Sequence, residues 1–245
     1  DLNELEDAFK ELEKNCKDRI YQLYRTKCSK GHPSIVRCVV LSFVVECPNC
    51  HKDIIMSKAI RPKGKKQNIY ICPICKKEFS YAKLEIKDEV LTDIRYFCEH
   101  CGKEEWRKAN DEDVMEYKKF NEMQVPYWYP QVKLEYPNGK RFMTRRRGEK
   151  ISDLFDKRNL IALSILWHYI ENLTVSNNIR DVLKLAFSAS LEIVSRLNPF
   201  RPPKSTKSGW TVHEYWVPAV HSLNNVWDAF ADRFKKIKNA KKVKF

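Results

Sequence analysis

The chain of 245 residues is poor in glycine, with six in all. No two of them lie close enough to form a phosphate-cradling GxGxxG loop or a P-loop. A glycine-rich cradle for a nucleotide or for S-adenosylmethionine is therefore excluded from this sequence. Long apolar runs are also missing. The longest, Cys38 to Val45, is broken by Ser42 and bounded by Arg37 and Glu46, far short of the roughly 18–20 residues that span a bilayer. That excludes a helical membrane protein, and no membrane partner is expected. The opening Asp1-Leu2-Asn3-Glu4 is acidic and helical in pattern, unlike a signal peptide. Acidic residues are scarce relative to basic ones. Lys plus Arg number 46 and Asp plus Glu 32, a net charge of +14, which points to a polyanionic partner. Hydrophobic residues make up 43% of the chain, enough for a packed core. At about 150 residues per domain the length corresponds to between one and two domains.

What the sequence does have is cysteine, nine in all. Six fall in three C-x-x-C pairs: Cys47/Cys50, Cys72/Cys75 and Cys98/Cys101. Two residues between thiolates let a tight turn aim both sulfurs at one tetrahedral ion. One such pair is weak evidence, because redox motifs share it. Three, each followed by a polar turn, read as zinc knuckles. Cys28-Ser29-Lys30-Gly31-His32 supplies a fourth, of C-x-x-x-H type. The expected pairing joins Cys72/Cys75 to Cys98/Cys101 across two strands, Phe79 to Ile86 and Ile94 to Phe97, with a turn at Lys87-Asp88-Glu89. A second ribbon then joins Cys28/His32 to Cys47/Cys50 across the Val- and Ile-rich strand Ser34 to Glu46. The competing arrangement joins Cys47/Cys50 to Cys72/Cys75 and leaves Cys98/Cys101 with Cys28 and His32. Either way eight ligands serve two structural Zn2+ ions. A disulfide framework is the weaker reading, since such scaffolds are usually small and secreted. Cys16 and Cys38 sit in apolar periodic contexts and read as core residues. His51 and His100 read as exposed turn residues.

The remaining pattern is mostly helical. Leu2, Leu5, Phe9, Leu12, Cys16, Ile20 and Leu23 recur at helical spacing over residues 2–24. Residues 103–123 are charged and helical from about Asp111. Val125 to Pro130 is a proline-bounded aromatic segment. Val132 to Tyr136 and Arg141 to Thr144 read as a hairpin turned by Asn138-Gly139. One helix begins near Asp153 or Asp156, a second follows Ser176 as cap, and a third follows Ser222. A long polar loop from Asn198 to Trp210 separates the last two, a length usually functional or disordered.

The positive charge is clustered. Lys63, Lys65 and Lys66 form one group; Lys140, Arg141, Arg145, Arg146, Arg147 and Lys150 a second; Arg201, Lys204 and Lys207, set beside Trp210, a third; and the stretch from Arg233 to Lys244 a fourth. Each phosphate contact by such side chains displaces counterions and gives salt-sensitive affinity. Arginine adds a planar fork that fits phosphates or guanine edges. Trp128 and Trp210 are candidates for contact with bases.

Several stretches resemble the region between the two catalytic motif blocks of zinc-ribbon-containing methyltransferases that modify the exocyclic amine of adenine or cytosine in DNA. They are Ile20-Tyr21-Gln22-Leu23-Tyr24 leading into Cys28, the strand leading into Cys47-Pro48-Asn49-Cys50, Asp153 to Leu163, and Asn224-Asn225-Val226-Trp227-Asp228-Ala229-Phe230. The resemblance covers nearly the whole chain and implies a target-recognition region. It also implies that the S-adenosylmethionine loop and the Asp/Asn-Pro-Pro-Tyr/Phe motif belong to flanking sequence. Neither motif is present here: Asn198-Pro199-Phe200 lacks the second proline and reads as a helix stop.

The sequence therefore predicts an α+β fold of tandem zinc ribbons followed by a helical region. The expected division is an N-terminal helix (1–27), a zinc module (28–110), a basic hairpin linker (111–150) and a helical part (151–245). The expected function is target recognition on duplex DNA, without catalysis by this chain alone. Any S-adenosylmethionine chemistry would come from a methyltransferase catalytic domain or subunit. A cytoplasmic, nucleoid-associated setting in a prokaryote follows from that function. The alternative is a zinc-ribbon nucleic-acid-binding module of another system: a transposase accessory region, a transcription factor or an RNA-binding protein. A zinc deaminase is disfavoured, because it needs H-x-E and Pro-Cys-x-x-Cys and neither occurs.

Overall fold

The computed structural model describes residues 1–62, 64, 68–81, 84–140, 149–200 and 217–242. It has the α+β composition read from the sequence: five α-helices, one main antiparallel sheet and a two-stranded one among the described residues.

The organising element is β2 (Pro33–Glu46), 14 residues long. Its Val, Ile and Phe content favours extended backbone. The middle of the strand, Cys38 to Phe43, is buried on both faces. One edge of β2 pairs antiparallel along its length with β6 (Ile86–Cys98), from Ile35↔Phe97 to Val45↔Ile86. β7 (Lys103–Lys108) then pairs with β6. Three short strands share the other edge of β2. β1 (Arg25–Lys27) takes Pro33 to Ile35, β8 (Val220–Asn224) takes Cys38 to Ser42, and β3 (Asp53–Ile55) takes Val44 to Glu46. The second sheet is the hairpin of β4 (Ile69–Ile71) and β5 (Glu78–Ser80).

The helices follow their caps. α1 (Leu2–Gln22) buries Leu5, Ala8, Leu12, Cys16 and Ile20 on one stripe. α2 (Asp111–Glu122) opens on a capping box formed by Asn110 and Asp113. α3 (Lys157–Asn172) is capped by Asp156 and buries Arg158 to Leu166 almost entirely, which marks it as the central helix. α4 (Asn177–Val194) follows Ser176 as its cap, as the sequence predicts. α5 (Val226–Lys242) closes the fold, with Phe234 stacked on Phe9 of α1 at 4.1 Å between ring centres. α1, the sheet and the C-terminal helices share one hydrophobic core. Cys16 and Cys38 are buried in it as expected.

Two expectations are corrected. Lys87-Asp88-Glu89 is no turn but the interior of β6, and Glu89 points inward. Its Oε2 lies 2.8 Å from Arg196 Nη2 and its Oε1 3.1 Å from His221 Nε2. A charged triplet reads as a turn, but a carboxylate with buried cationic partners is as compatible with a strand interior as an apolar side chain. The last helix follows Ser222, as expected; Ser222 lies in β8, and Asn225 caps α5, its Oδ1 accepting from the N–H of Trp227 at 3.0 Å. The expected strand Phe79 to Ile86 is confined to β5 (Glu78–Ser80) before β6 begins at Ile86.

Tyr21, Tyr24, Asn159, Asn225 and Asp228 meet in one polar network. Asn159, fully buried, accepts from the Tyr24 hydroxyl at 2.7 Å and donates to the carbonyls of Val194 (2.9 Å) and Asn224 (3.1 Å). Asn225 Nδ2 donates to the Val36 carbonyl at 3.0 Å. Tyr21 donates to Asp228 at 2.7 Å, and Arg37 pairs with the same carboxylate. These residues lock α1, β2, α3 and α5 together.

Candidate metal centres and the surrounding surface

Each metal centre is built from two hairpin turns. The β1–β2 turn carries Cys28 and His32, and the β6–β7 turn carries Cys98 and Cys101. These four ligand atoms form one cluster. The β2–β3 turn carries Cys47 and Cys50, the β4–β5 turn Cys72 and Cys75, and these form the other. In each cluster all four atoms lie within 4.8 Å of one another.

The tandem pairing is thereby overturned in favour of the competing, nested one. The reason is length. A strand rises about 3.3 Å per residue, so the two ends of β2 stand roughly 40 Å apart and cannot contribute to one ion. Antiparallel pairing instead brings the start of β2 beside the end of β6. Cys28/His32 therefore meets Cys98/Cys101, and the second ribbon is inserted inside the first.

The spacings fit zinc. A tetrahedral ion with Zn–S bonds of about 2.3 Å and Zn–N bonds of about 2.0–2.1 Å has S···S edges of about 3.8 Å and S···N edges of about 3.6 Å. Cys47 Sγ lies 3.8 Å from Cys75 Sγ, and Cys50 Sγ 3.9 Å from Cys72 Sγ. His32 Nδ1 lies 3.6 Å from Cys28 Sγ and 3.4 Å from Cys101 Sγ.

The turns supply further order. Backbone N–H groups point at the sulfurs: Asn49 to Cys47 (3.4 Å), Ile74 to Cys72 (3.4 Å), Lys30 and His32 to Cys28 (both 3.3 Å). Three knuckles end on a residue of positive φ directly after the second ligand: His51 (56°), Lys76 (61°) and Gly102 (65°). Only Gly102 adopts that region without steric cost. His51 and Lys76 are held there by N–H bonds to the carbonyls of Cys47 (2.9 Å) and Cys72 (3.0 Å). One thiol in each cluster is made acidic. The Ser34 hydroxyl leads the effects that outweigh burial and bring Cys98 down to about 7. Burial raises Cys47, but the N–H groups of Asn49 and Cys50 more than reverse it, again to about 7. Thiolate is the form that binds metal. His51 and His100 are exposed and outside both clusters, as expected; the His100 ring stacks on His32 at 3.8 Å.

Among the expected nucleic-acid contacts, Lys140 is exposed beside the turn at Pro137-Asn138-Gly139, where Gly139 takes φ 74° as the Asn-Gly motif requires. Residues 132–134 pair with 149–151, Leu134 N–H donating to the Glu149 carbonyl at 2.7 Å, and Tyr136 N–H donates to the Lys140 carbonyl at 2.8 Å. Lys63, Lys65, Lys66, Arg141, Arg145, Arg146, Arg147, Arg201, Lys204, Lys207 and Trp210 lie outside the described residues. Asn198-Pro199 follows the end of α4 and bridges to His221 of β8, a structural position. Trp128 is exposed.

One surface aromatic escaped the sequence reading. Trp106 on β7 is half exposed, contacts Phe200 with ring centres 5.5 Å apart, and carries the Arg95 guanidinium 5.6 Å above its ring. Its signal was a lone tryptophan in the alternating charged strand Lys103-Glu104-Glu105-Trp106-Arg107-Lys108. Phe200 immediately precedes the segment that holds Arg201, Lys204 and Lys207. Among the described residues no helix is long and apolar enough to cross a membrane. Comparison with known protein families, curated proteins and solved structures finds no match.

Proposed function

We propose that this chain is a zinc-stabilised target-recognition region that binds duplex DNA and works beside the catalytic domain or subunit of an exocyclic-amine DNA methyltransferase. The observation that carries the reading is the pair of four-ligand clusters with tetrahedral spacing, on a chain of net charge +14. With four protein ligands each, both sites are structural, with no coordination position for a reacting water. Cys28, His32, Cys98 and Cys101 would hold one zinc ion and Cys47, Cys50, Cys72 and Cys75 the other. The basic segments would follow the phosphates, with Trp106 and Arg95 beside the root of one of them. Methyl transfer would need S-adenosylmethionine bound by a glycine loop that this sequence lacks.

The test is fluorescence anisotropy on duplex DNA, single-stranded DNA and structured RNA across a salt series, with a methyl-transfer assay alongside. The expected result is preference for duplex, a log affinity falling steeply with log salt at about −0.9 per phosphate contacted, and no methyl transfer by the chain alone. Preference for structured RNA, or binding indifferent to salt, would refute the DNA reading. Methyl transfer by the purified chain would refute the division of labour.

A further inference from the structure

Away from both metal clusters, a cavity of about 380 Å³ lies between the end of α1, the face of the main sheet and α2. Its floor is apolar: Val36 and Val39 of β2, Leu91 and Ile94 of β6. The bulges in the β2–β6 ladder at Val36/Cys38 and at Val40/Leu41 keep these side chains on one face. α2 forms the roof through Tyr117 and Phe120 and buries no residue completely, because it stands over a hollow.

One wall holds Arg158, only 4% exposed. Its Nε and Nη2 are buried without a hydrogen-bond partner, and among the described residues it makes no ion pair. Three other arginines drawn into the fold are matched to carboxylates: Arg37 to Asp228, Arg107 to Asp113, Arg196 to Glu89. Asp156, two residues before Arg158, spends its oxygens on the Asn159 N–H (3.0 Å) and the Tyr117 hydroxyl (2.9 Å). What the guanidinium does have is two ring faces, Tyr24 at 4.6 Å and Tyr117 at 5.4 Å. These compensate a cation in part. A guanidinium cannot shed its proton, so its charge persists at the cavity wall.

We infer that this cavity is a binding site for a small monoanion with an apolar body, such as an aromatic or branched carboxylic acid, its carboxylate paired with the charge of Arg158. The remaining lining charges set the valence. Lys27 is matched to Glu112 at 3.0 Å, Arg107 to Asp113, and Glu116 to Lys119. That leaves Arg158 and, at the rim, Arg25 as the unmatched cations, with acids on the α2 side. This balance suits a single negative charge and rejects a polyphosphate. The cavity lies within the range of small-molecule sites, about 300–1,000 Å³. The site is independent of DNA binding.

The experiment is calorimetric titration of the full zinc-loaded chain with phenylacetate, methyl phenylacetate and dimethyl phosphate, the last standing for a nucleic-acid phosphodiester. Phenylacetate is expected to bind one to one with a Kd of about 1 mM or tighter, and the neutral ester at least about tenfold more weakly. It should shift the NMR methyl signals of Ile94 and Met115. Arg158→Gln should abolish the difference between acid and ester. The wild-type acid–ester comparison decides the matter even if that variant fails to fold. Equal affinity for acid and ester, no saturable binding of phenylacetate, or tighter binding of dimethyl phosphate would each overturn the inference. Addition of duplex DNA should leave phenylacetate binding unchanged; competition would mean that the cavity is part of a nucleic-acid site and would also overturn it.

Discussion

The nested arrangement of the metal ligands is testable by counting ions in double variants. Cys47 and Cys72 belong to one cluster, and Cys28 and Cys47 to two different ones. The double variant Cys47→Ala with Cys72→Ala strips two ligands from the inner site and leaves Cys28, His32, Cys98 and Cys101 whole. It should bind one zinc ion per chain. Cys28→Ala with Cys47→Ala takes one ligand from each site and should lower affinity at both. Structural zinc binding is worth about 10–16 kcal/mol in small domains, so losing two of four ligands empties a site at micromolar metal. The separation of the sites by roughly 40 Å of extended β2 rules out rescue by ligands of the other cluster. The assay is metal analysis after dialysis against a weak chelator, with cobalt substitution to report tetrahedral geometry. Tandem ribbons predict the reverse: Cys47→Ala with Cys72→Ala would damage both sites, and Cys28→Ala with Cys47→Ala would leave one whole. One full-occupancy ion in the second variant and none in the first would refute the nested reading.

Three further outcomes are expected. Glu89→Gln removes the buried carboxylate that faces Arg196 and His221 and should cost about 3–5 kcal/mol, read by denaturant unfolding. Burial opposes its ionisation, but Arg196 and His221 hold its carboxyl well below the ordinary range. Its stabilising contribution is therefore complete above the unfolded carboxylate value near 4.5 and lost as pH falls below it; a wild-type stability that is flat from neutral pH down through acid would contradict this. Asn159→Ala strips one acceptor and two donated bonds from the centre of the fold and should cost several times the ~1 kcal/mol of a single hydrogen bond, with zinc content unchanged; a loss under about 1 kcal/mol would show that the network is dispensable. Trp106→Ala should weaken duplex binding while leaving the salt slope unchanged, since it removes a ring and no cation; an altered slope would mean that Arg95 had moved with it.

All eight metal-cluster residues were legible in the sequence, because C-x-x-C and C-x-x-x-H spacings are local and the turn between ligands sets the geometry. Their partition was not, because it depends on where strands run. Even so, the relevant length was in view: Ser34 to Glu46 reads as a strand, and a strand of that length holds its flanking knuckles apart. The helices capped by Ser176 and by Asp156 were legible for the same local reason. The residues that escaped are those whose role is set by a distant partner. Glu89 looks like a turn residue until Arg196 and His221 arrive from the far end of the chain. Arg158 looks like any solvated arginine on a helix, and only packing places it between Tyr24 and Tyr117.

The positions of the metal clusters explain why such a chain would use metal at all. The strands leading into the turns are short: β1, β3, β4 and β5 have three residues each. A hairpin of that size is marginal in water, and β4–β5 pairs with no other named strand. The long partners β2 and β6 hold the centre of the sheet without help, since β2 is buried along much of its length and β6 pairs with it from Ile35↔Phe97 to Val45↔Ile86. Ligands are therefore found where hydrophobic burial runs out, at the two ends of β2. At one end the cluster ties β1–β2 to β6–β7, which also pair directly through the sheet. At the other it ties β2–β3 to β4–β5. On this reasoning the inner site carries the larger share of local order. Removing its ion should release residues 47–80 to hydrogen exchange while β2, β6 and β8 stay protected.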